Sequence, residues 1–556
     1  MEEIILKYAL QNAVKFGGKA NPGKIIGKIM GEKPELRSQI KELQPQIMKI
    51  VGEVNGMSED EQHAKLEELA PELLEKKEVK ERDIFAFLRI NDGDKVITAF
   101  PPGPEKYPHI GHAKAILLNY MLAKKYNGQF VLRFEDTNPA LVKEEFYEIM
   151  QENFKWLGIK WDKLIYASDY MDLFYKHAEK LIEDGGAYMC SCNPEQIRES
   201  RMKSIPCECR DKSVQANLND WRRFDVMKAG EAILRLKIDL EHKNSTMRDP
   251  TIFRIIEAEH ARHKNKYRIW PNYDFQNSIM DGKSGITHRL RSKEFEMRNE
   301  LQRYIQKLLG YNITNIYEFA RFNLQGVESS GRLIREKIEN NELLGWDDPS
   351  LTTLVALRRR GFIPQAIENF VVSTGITKSE STLTWDDLIV QNRRLLDKDA
   401  NRYFFIENPV KIKIENAPDI TVEHKLHPEL PERGTRKLVS KEDFYITKED
   451  FESFKDGKMY RLMDCLNFIK DEKLIFNSKD YSEFKKNGEK IMHYLPANNE
   501  LVSVEIMTPE KKLIKGFGEP LLLNLKFGEV VQFERFGFVR LDKIEDDKLT
   551  FWLTHS

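Results

Sequence analysis

KVITAFPPGPEKYPHIGHAKAILLNYMLAKKY, residues 95–126, decides the architecture of the chain. Its first six residues form an apolar, partly β-branched run of strand length, and from Ala113 onward apolar residues recur at helical spacing. Four prolines crowd the loop between strand and helix. A second strand, QFVLRF at 129–134, ends in the acidic EDTNP, and a second helix runs through VKEEFYEIMQENFKWLG at 142–158. Parallel strands joined by a helix, with polar residues gathered where the strands end, predict an α/β unit whose ligand crevice lies at those ends.

The loop also carries chemistry. His109 and His112 stand three apart at a helix start and so share one face, while the helix N-terminus favours anions. Gly111 between them leaves room for a ligand against the backbone. Such a site suits a nucleotide triphosphate, because imidazole donors can stabilise phosphate oxygens whose charge grows in a pentacoordinate transition state. Taken alone, His-x-x-His reads equally as half of a metal site or as two incidental surface histidines.

The rest of the chain sets limits. At 556 residues it holds roughly three to five domains. With 41 % apolar and 32 % charged residues and a mean hydropathy of -0.55, it reads as globular. No stretch approaches the ~18 apolar residues of a spanning helix, and MEEIILKYALQN is acidic without a cleavable signal pattern, so a cytoplasmic protein without a membrane partner is expected. The 88 basic and 89 acidic residues leave a formal charge of -1. A nucleic-acid surface must therefore come from local clustering.

Helical periodicity runs through LKYALQNAVKF and IMKIVGEVNGMSEDEQHAKLEELAPELLEKK, predicting a helical domain over 1–85 that ends in the charged KKEVKERD. The α/β unit covers 86–183 and resumes at 261–330. Between them, 184–260 holds two C-x-C pairs and strand-like runs such as AILRLKIDL, and reads as an insertion. Residues 331–400 are helical in pattern. From 401 to 556, PVKIKIEN, DITVEHKL, DFYITKED, LVSVEIM, VVQFERFGFVRL and KLTFWLT suggest β-barrels.

The string FPPGPEKYPHIGHAKA, the strand end RFEDTNP, the later YDF and GITHRLRS, and GWDDPSLTTLVALRRRG together resemble the class I aminoacyl-tRNA synthetases, in their glutamyl/glutaminyl branch. MGEKPELRS near the N-terminus and the β-rich C-terminal part add remoter likeness. The resemblance implies a multidomain α/β protein: a Rossmann-like catalytic domain, an acceptor-stem-binding insertion, a signature loop with a helical connecting region, and C-terminal β-barrel anticodon-binding domains of archaeal type. It implies ATP with Mg2+, L-glutamate, and tRNA(Glu) as partners, leaves open whether tRNA(Gln) is also charged, and implies a requirement for tRNA in amino-acid activation. His109 and His112 take the catalytic positions. Phe100, Pro101, Pro102, Gly111, Ser329, Ser330 and Arg332 match ATP-binding positions.

In the same branch Glu135 corresponds to the acidic partner of the substrate α-ammonium, and Tyr273 and Asn277 to positions near its side chain. Arg291 decides between amino acids. A γ-carboxylate needs a fixed cation, whereas a neutral carboxamide would leave that buried charge unpaired at a cost on the order of 3–5 kcal/mol. Glutamate is favoured; glutamine–tRNA ligase is the alternative. Two departures motivate a second alternative, a non-catalytic tRNA-binding relative. Ala99 stands where the branch has arginine, and Gly331 replaces the second lysine of the signature loop, which neutralises the triphosphate. Arg332, Arg335 and Lys337 are the candidates to make up for that lysine.

Cys190, Cys192, Cys207 and Cys209 could form a closed four-thiolate site for structural zinc, although C-x-C is less specific than C-x-x-C and two unligated pairs are the competing reading. The basic runs Arg358-Arg359-Arg360 and Arg433 to Lys437 read either as solvated faces or as tRNA backbone contacts.

Overall fold

The computed structural model describes every residue except 1, 16–17, 33–39, 74–82, 92, 329, 381, 499 and 547. It divides into two compact units, Met1–Asp83 and Ile84–Ser556. The first contains helices Glu2–Lys15, Pro22–Glu32, Ile40–Asn55 and Glu59–Leu69. Their apolar faces meet in a core that includes Ile5, Leu10, Ile25, Ile47, Val51 and Leu66. Ser58 and Glu61 close the last helix with a reciprocal cap. Gln62, inside this core, donates to the Gly18 and Val54 carbonyls at 2.9 and 2.8 Å. MGEKPELRS lies largely outside the described residues.

The second unit is built on a parallel sheet of β1 (Ile97–Phe100), β2 (Gln129–Phe134), β3 (Lys163–Tyr166), β8 (His288–Ser292) and β9 (Asn315–Phe319), in the order β3-β2-β1-β8-β9. From β1 the chain moves outward through β2 to β3, and later returns on the other side of β1 as β8 and β9. The order thus reverses between β1 and β8, and the crevice at that reversal opens at the strands' C-terminal ends. Residues 100–102, 134–136 and 291–292 arrive there together. On one face of the sheet the helix Ile110–Lys125 buries Ala113, Leu117 and Leu118 in the largest core of the chain.

Between β3 and β8 the chain builds an antiparallel sheet of β4 (Ala187–Cys190), β5 (Ile233–Leu236), β6 (Thr251–Ile255) and β7 (Ile269–Pro271), so this layer extends to residue 271. Helices Gly331–Glu339, Leu354–Arg360, Pro364–Thr374 and Trp385–Leu396 follow, and beyond 401 the chain forms two seven-stranded sheets and one two-stranded ribbon. Among the described residues no helix is long and apolar enough to cross a membrane.

The basic runs have mainly internal partners. Arg359 makes a fork to both carboxylate oxygens of Asp542, at 3.0 and 2.7 Å, and a third bond to Asp347. Buried Arg360 donates to the Pro349 and Thr554 carbonyls at 3.0 and 2.8 Å. Arg436 is buried against Glu519 and Glu534, and Arg433 is bonded to Asp399. These side chains bind the C-terminal sheets to each other and to the helical region. Arg358 alone of its run is exposed.

At the turn into β2, the Gly128 N–H donates to Ala123 O at 2.8 Å, and a Cβ at residue 128 would lie 2.1 Å from Val96 O. That neighbour is backbone of the buried residue just before β1 and cannot yield cheaply. Gly128→Ala is expected to lower the stability of this unit by about 1–3 kcal/mol, measured by denaturant unfolding. An unchanged midpoint would show that β1 and β2 can separate freely at this turn.

Candidate active site

His109 caps the helix Ile110–Lys125 from an extended conformation. The Gly111 N–H donates to His109 Nδ1 at 3.0 Å, and the His109 N–H donates to His112 Nδ1 at 3.1 Å. Each Nδ1 is therefore an acceptor, which puts the proton of each neutral ring on Nε2. Burial, helped by the charges of Lys106 and Arg321, pulls His109 down to about 3. Burial, together with His109 and Lys106, holds His112 well below the usual imidazole range. At neutral pH the pair thus offers two neutral Nε2–H donors with ring centroids 4.0 Å apart. A Cβ at Gly111 would lie 2.8 Å from His109 Cε1, so the glycine also makes room for the ring that caps its own helix.

The tract GWDDPSLTT clamps this helix start. Ile110 N–H donates to Thr352 O at 3.0 Å and Leu354 N–H to Pro108 O at 2.8 Å. Tyr107 stacks on Trp346 with centroids 5.1 Å apart. Phe100 packs edge-on against both Phe154 and His112. Next to Pro101, the buried Pro102 accepts from the Glu135 N–H at 2.9 Å, which ties the exit of β1 to the exit of β2.

Around the crevice lies a buried charge network. Arg133 donates through Nε to Glu135 Oε1 at 2.7 Å, and through its two terminal nitrogens to Asp281 Oδ1 at 2.8 Å and Asn277 Oδ1 at 2.9 Å. Arg289 bonds Asp281 Oδ2 at 2.7 Å and Asn277 Oδ1 at 2.8 Å. Burial pushes Asp281 up, but the two guanidiniums outweigh it and hold the group below the usual carboxylate range. For Glu135 burial prevails over Arg133 and raises the pKa. Glu135 Oε2 and Asn277 Nδ2 are buried without a hydrogen-bond partner.

Arg291 completes the group. It shares a face of β8 with Arg289, two residues away. It donates to Gln302 Oε1 at 2.8 Å and to the Tyr273 hydroxyl at 2.9 Å, and its guanidinium lies 4.3 Å from the Phe295 ring centroid. Its Nε has no partner, and among the described residues no carboxylate pairs with it. Three buried guanidiniums thus face two buried carboxylates, Glu135 and Asp281. In formal charge the site has one positive charge in excess, one orphaned carboxylate oxygen and one orphaned guanidinium N–H. Such atoms could be met by an ammonium on the carboxylate oxygen and by an anion on the guanidinium.

Ala99 lies on β1 among Ile97, Val131 and Ile286, one rung beyond the Thr98–His288 pair and hence beside Arg289. Ser330 caps the helix Gly331–Glu339 by accepting from Leu333 N–H at 3.4 Å. The side chain of Arg332 is 81 % exposed beside Glu336, which keeps it apart from the histidines. Ser329 lies outside the described residues.

The four sulfurs of Cys190, Cys192, Cys207 and Cys209 fall within 4.8 Å of one another. Cys190 and Cys207 are 3.9 Å apart, and Cys192 and Cys209 4.0 Å. Thiolates bound tetrahedrally at ~2.3 Å from a metal stand ~3.8 Å apart, so the set fits such a centre with little adjustment. Arg235, fully buried, places one guanidinium nitrogen 3.8 Å from Cys190 Sγ and 4.0 Å from Cys207 Sγ, where it would offset the charge of four thiolates.

Arg133, Asp281, Arg289 and Gln302 went unread in the sequence. One signal was available: an arginine inside the apolar run QFVLRF, two residues before Glu135, must share a strand face with that acid.

The family model for the catalytic domain of class I tRNA synthetases (E and Q) matches residues 95–398. Two models for the anti-codon binding domain of the same group match residues 400–489 and 470–542. Over 573 residues, covering all of both chains, the protein is 44 % identical to the glutamate–tRNA ligase of Pyrococcus abyssi. It is 40 % identical to that of Methanobrevibacter smithii and 38 % to that of Methanocaldococcus jannaschii, again over the full length of each. The chain belongs to the class I tRNA synthetases of the E and Q group.

Proposed function

We propose that the chain joins L-glutamate to the 3′ end of tRNA(Glu) in the cytoplasm, by way of a glutamyl-adenylate made from Mg-ATP. The observation that carries the choice of amino acid is the buried Arg291, whose Nε and positive charge lack a partner. Zwitterionic glutamate has a net charge of minus one and brings the site to neutrality. Glutamine has none and would leave a buried charge uncompensated.

The substrate ammonium meets Glu135 Oε2, which favours the ionised form of that carboxyl, and the γ-carboxylate meets Arg291. So held, the α-carboxylate attacks the α-phosphorus of ATP. The bond to the bridging oxygen breaks and pyrophosphate leaves with the electron pair. His109 and His112 donate from Nε2 to phosphate oxygens as charge grows on them, without giving up a proton. A hydroxyl of the terminal ribose of tRNA then attacks the acyl carbon, loses its proton, and AMP departs. Exposed aromatic residues on two short helices of the C-terminal region, Phe451 in Lys448–Glu452 and Tyr481 in Tyr481–Asn487, are platforms on which anticodon bases can stack.

The four cysteines would hold zinc in the insertion. A closed shell of four thiolates has no open position, so the metal would hold the insertion in shape and take no part in the reaction.

Pyrophosphate exchange with glutamate or glutamine, in the presence and absence of tRNA(Glu) or tRNA(Gln), tests this reading. Exchange is expected with glutamate when tRNA is present. No exchange with either amino acid would leave a tRNA-binding protein without activation chemistry. Arg291→Cys should lower glutamate kcat/KM by about 2–3 kcal/mol, the scale of a charged hydrogen bond. Unchanged glutamate kinetics would remove the basis for the amino-acid assignment.

Metal analysis is expected to find one zinc for each chain, lost when Cys190 and Cys207 are both changed to serine, with the unfolding of the other cores preserved. Metal-free protein of unaltered stability and activity would show the four thiols to be unligated.

A further inference from the structure

Gly331 opens the helix Gly331–Glu339 at the place of the signature-loop lysine, and the cations weighed for its role lie elsewhere. Arg332 and Arg335 are exposed, and Lys337 lies 3.8 Å from Glu328. The structure fills the space with a different residue. A Cβ at Gly331 would lie 3.1 Å from Lys106 Cδ and 3.7 Å from Lys106 Cβ, so the stem of Lys106 crosses the start of this helix where a side chain at 331 would emerge. Lys106, His109 and Gly331 line one small cleft with Glu328, Trp346 and Thr353.

We propose that Lys106 is the cation that contacts the β- and γ-phosphates of ATP in this enzyme, in place of the lysine absent at 331. Lys106 belongs to the loop that ends in His109, and the stacking of Tyr107 on Trp346 fixes the next residue. Among the described residues no carboxylate lies within ion-pair distance of its ammonium. Its charged surroundings are Glu105, Arg321 and Glu294. Burial is the main influence on the group and disfavours its charged form, with Glu105 opposing and Arg321 adding to it. Glu105 and Glu294 act on the ammonium from beyond ion-pair distance, and a polyphosphate would give it a direct partner. Gly331 follows from the same arrangement, since a side chain there would compete with Lys106 for the space. The helix N-terminus beside it adds a second favourable electrostatic contact for an anion.

This inference rests on the proposed activation of glutamate, and the test separates the two. In tRNA-dependent pyrophosphate exchange with glutamate, Lys106→Ala is expected to lower kcat roughly 10–100-fold with the glutamate KM held within about threefold. Adding Gly331→Lys to Lys106→Ala returns a cation from the other side of the cleft, where removal of the Lys106 stem has made space. The double variant should recover to within about fivefold of the unaltered enzyme. A fully active Lys106→Ala variant would overturn the proposal and leave the enzyme assignment standing. So would a loss that Gly331→Lys does not relieve, because it would assign Lys106 to loop geometry instead of phosphate charge. Only absence of exchange in the unaltered protein would count against the activity itself.

Discussion

Three arginines buried at the ends of β2 and β8, with two carboxylates to balance them, are the constraint around which the catalytic unit is arranged. Burying a guanidinium is tolerable only when its donors are spent and its charge is met. Arg133 and Arg289 satisfy this through Asp281, Asn277 and Glu135, residues contributed by β2 and the helix Tyr273–Ser284. Arg291 has only the neutral partners Gln302 and Tyr273. The folded protein therefore holds an electrostatic deficit that a dicarboxylic amino acid removes. On the proposed reading, selectivity comes from a charge that cannot be left buried alone, a stronger discriminator than fit.

The histidine pair, proposed to meet the nucleotide, follows a different principle. Its histidines are neutral, and their orientation is set by backbone donors that occupy both Nδ1 atoms. Preorganised N–H dipoles cost no reorganisation when phosphate charge develops. The hydrogen bonds from Ile110 to Thr352 and from Leu354 to Pro108 carry this order from the helical region into the loop. The tract GWDDPSLTT is thus a structural support of the loop.

Much of this was legible in the sequence. Strand, loop and helix at 95–126 announce the parallel sheet because the change from β-branched to helical periodicity is local. Glu135 could be found because it follows the short apolar strand QFVLRF within RFEDTNP, and Arg291, inside the polar strand HRLRS, through the resemblance of GITHRLRS. The partners of these residues could not be found, since Asp281 meets Arg133 only through packing across 148 positions of sequence. The same holds for Lys106 beside Gly331, whose proximity depends on a loop and a helix far apart in the chain. Charge runs were the least informative: Arg359 and Arg360 are written like a solvated or RNA-facing cluster, yet they pair inside the protein. Composition does not tell a solvated cation from one that finds a distant carboxylate.

The most direct test of the charge-deficit account is a crystal structure with an unreactive glutamyl-adenylate analogue, in which both orphaned atoms can be seen. The account predicts the analogue's ammonium within hydrogen-bond distance of Glu135 Oε2, and its γ-carboxylate on Arg291 through the Nε that now lacks a partner. A γ-carboxylate bound away from Arg291, with that guanidinium still bonded only to Gln302 and Tyr273, would contradict it.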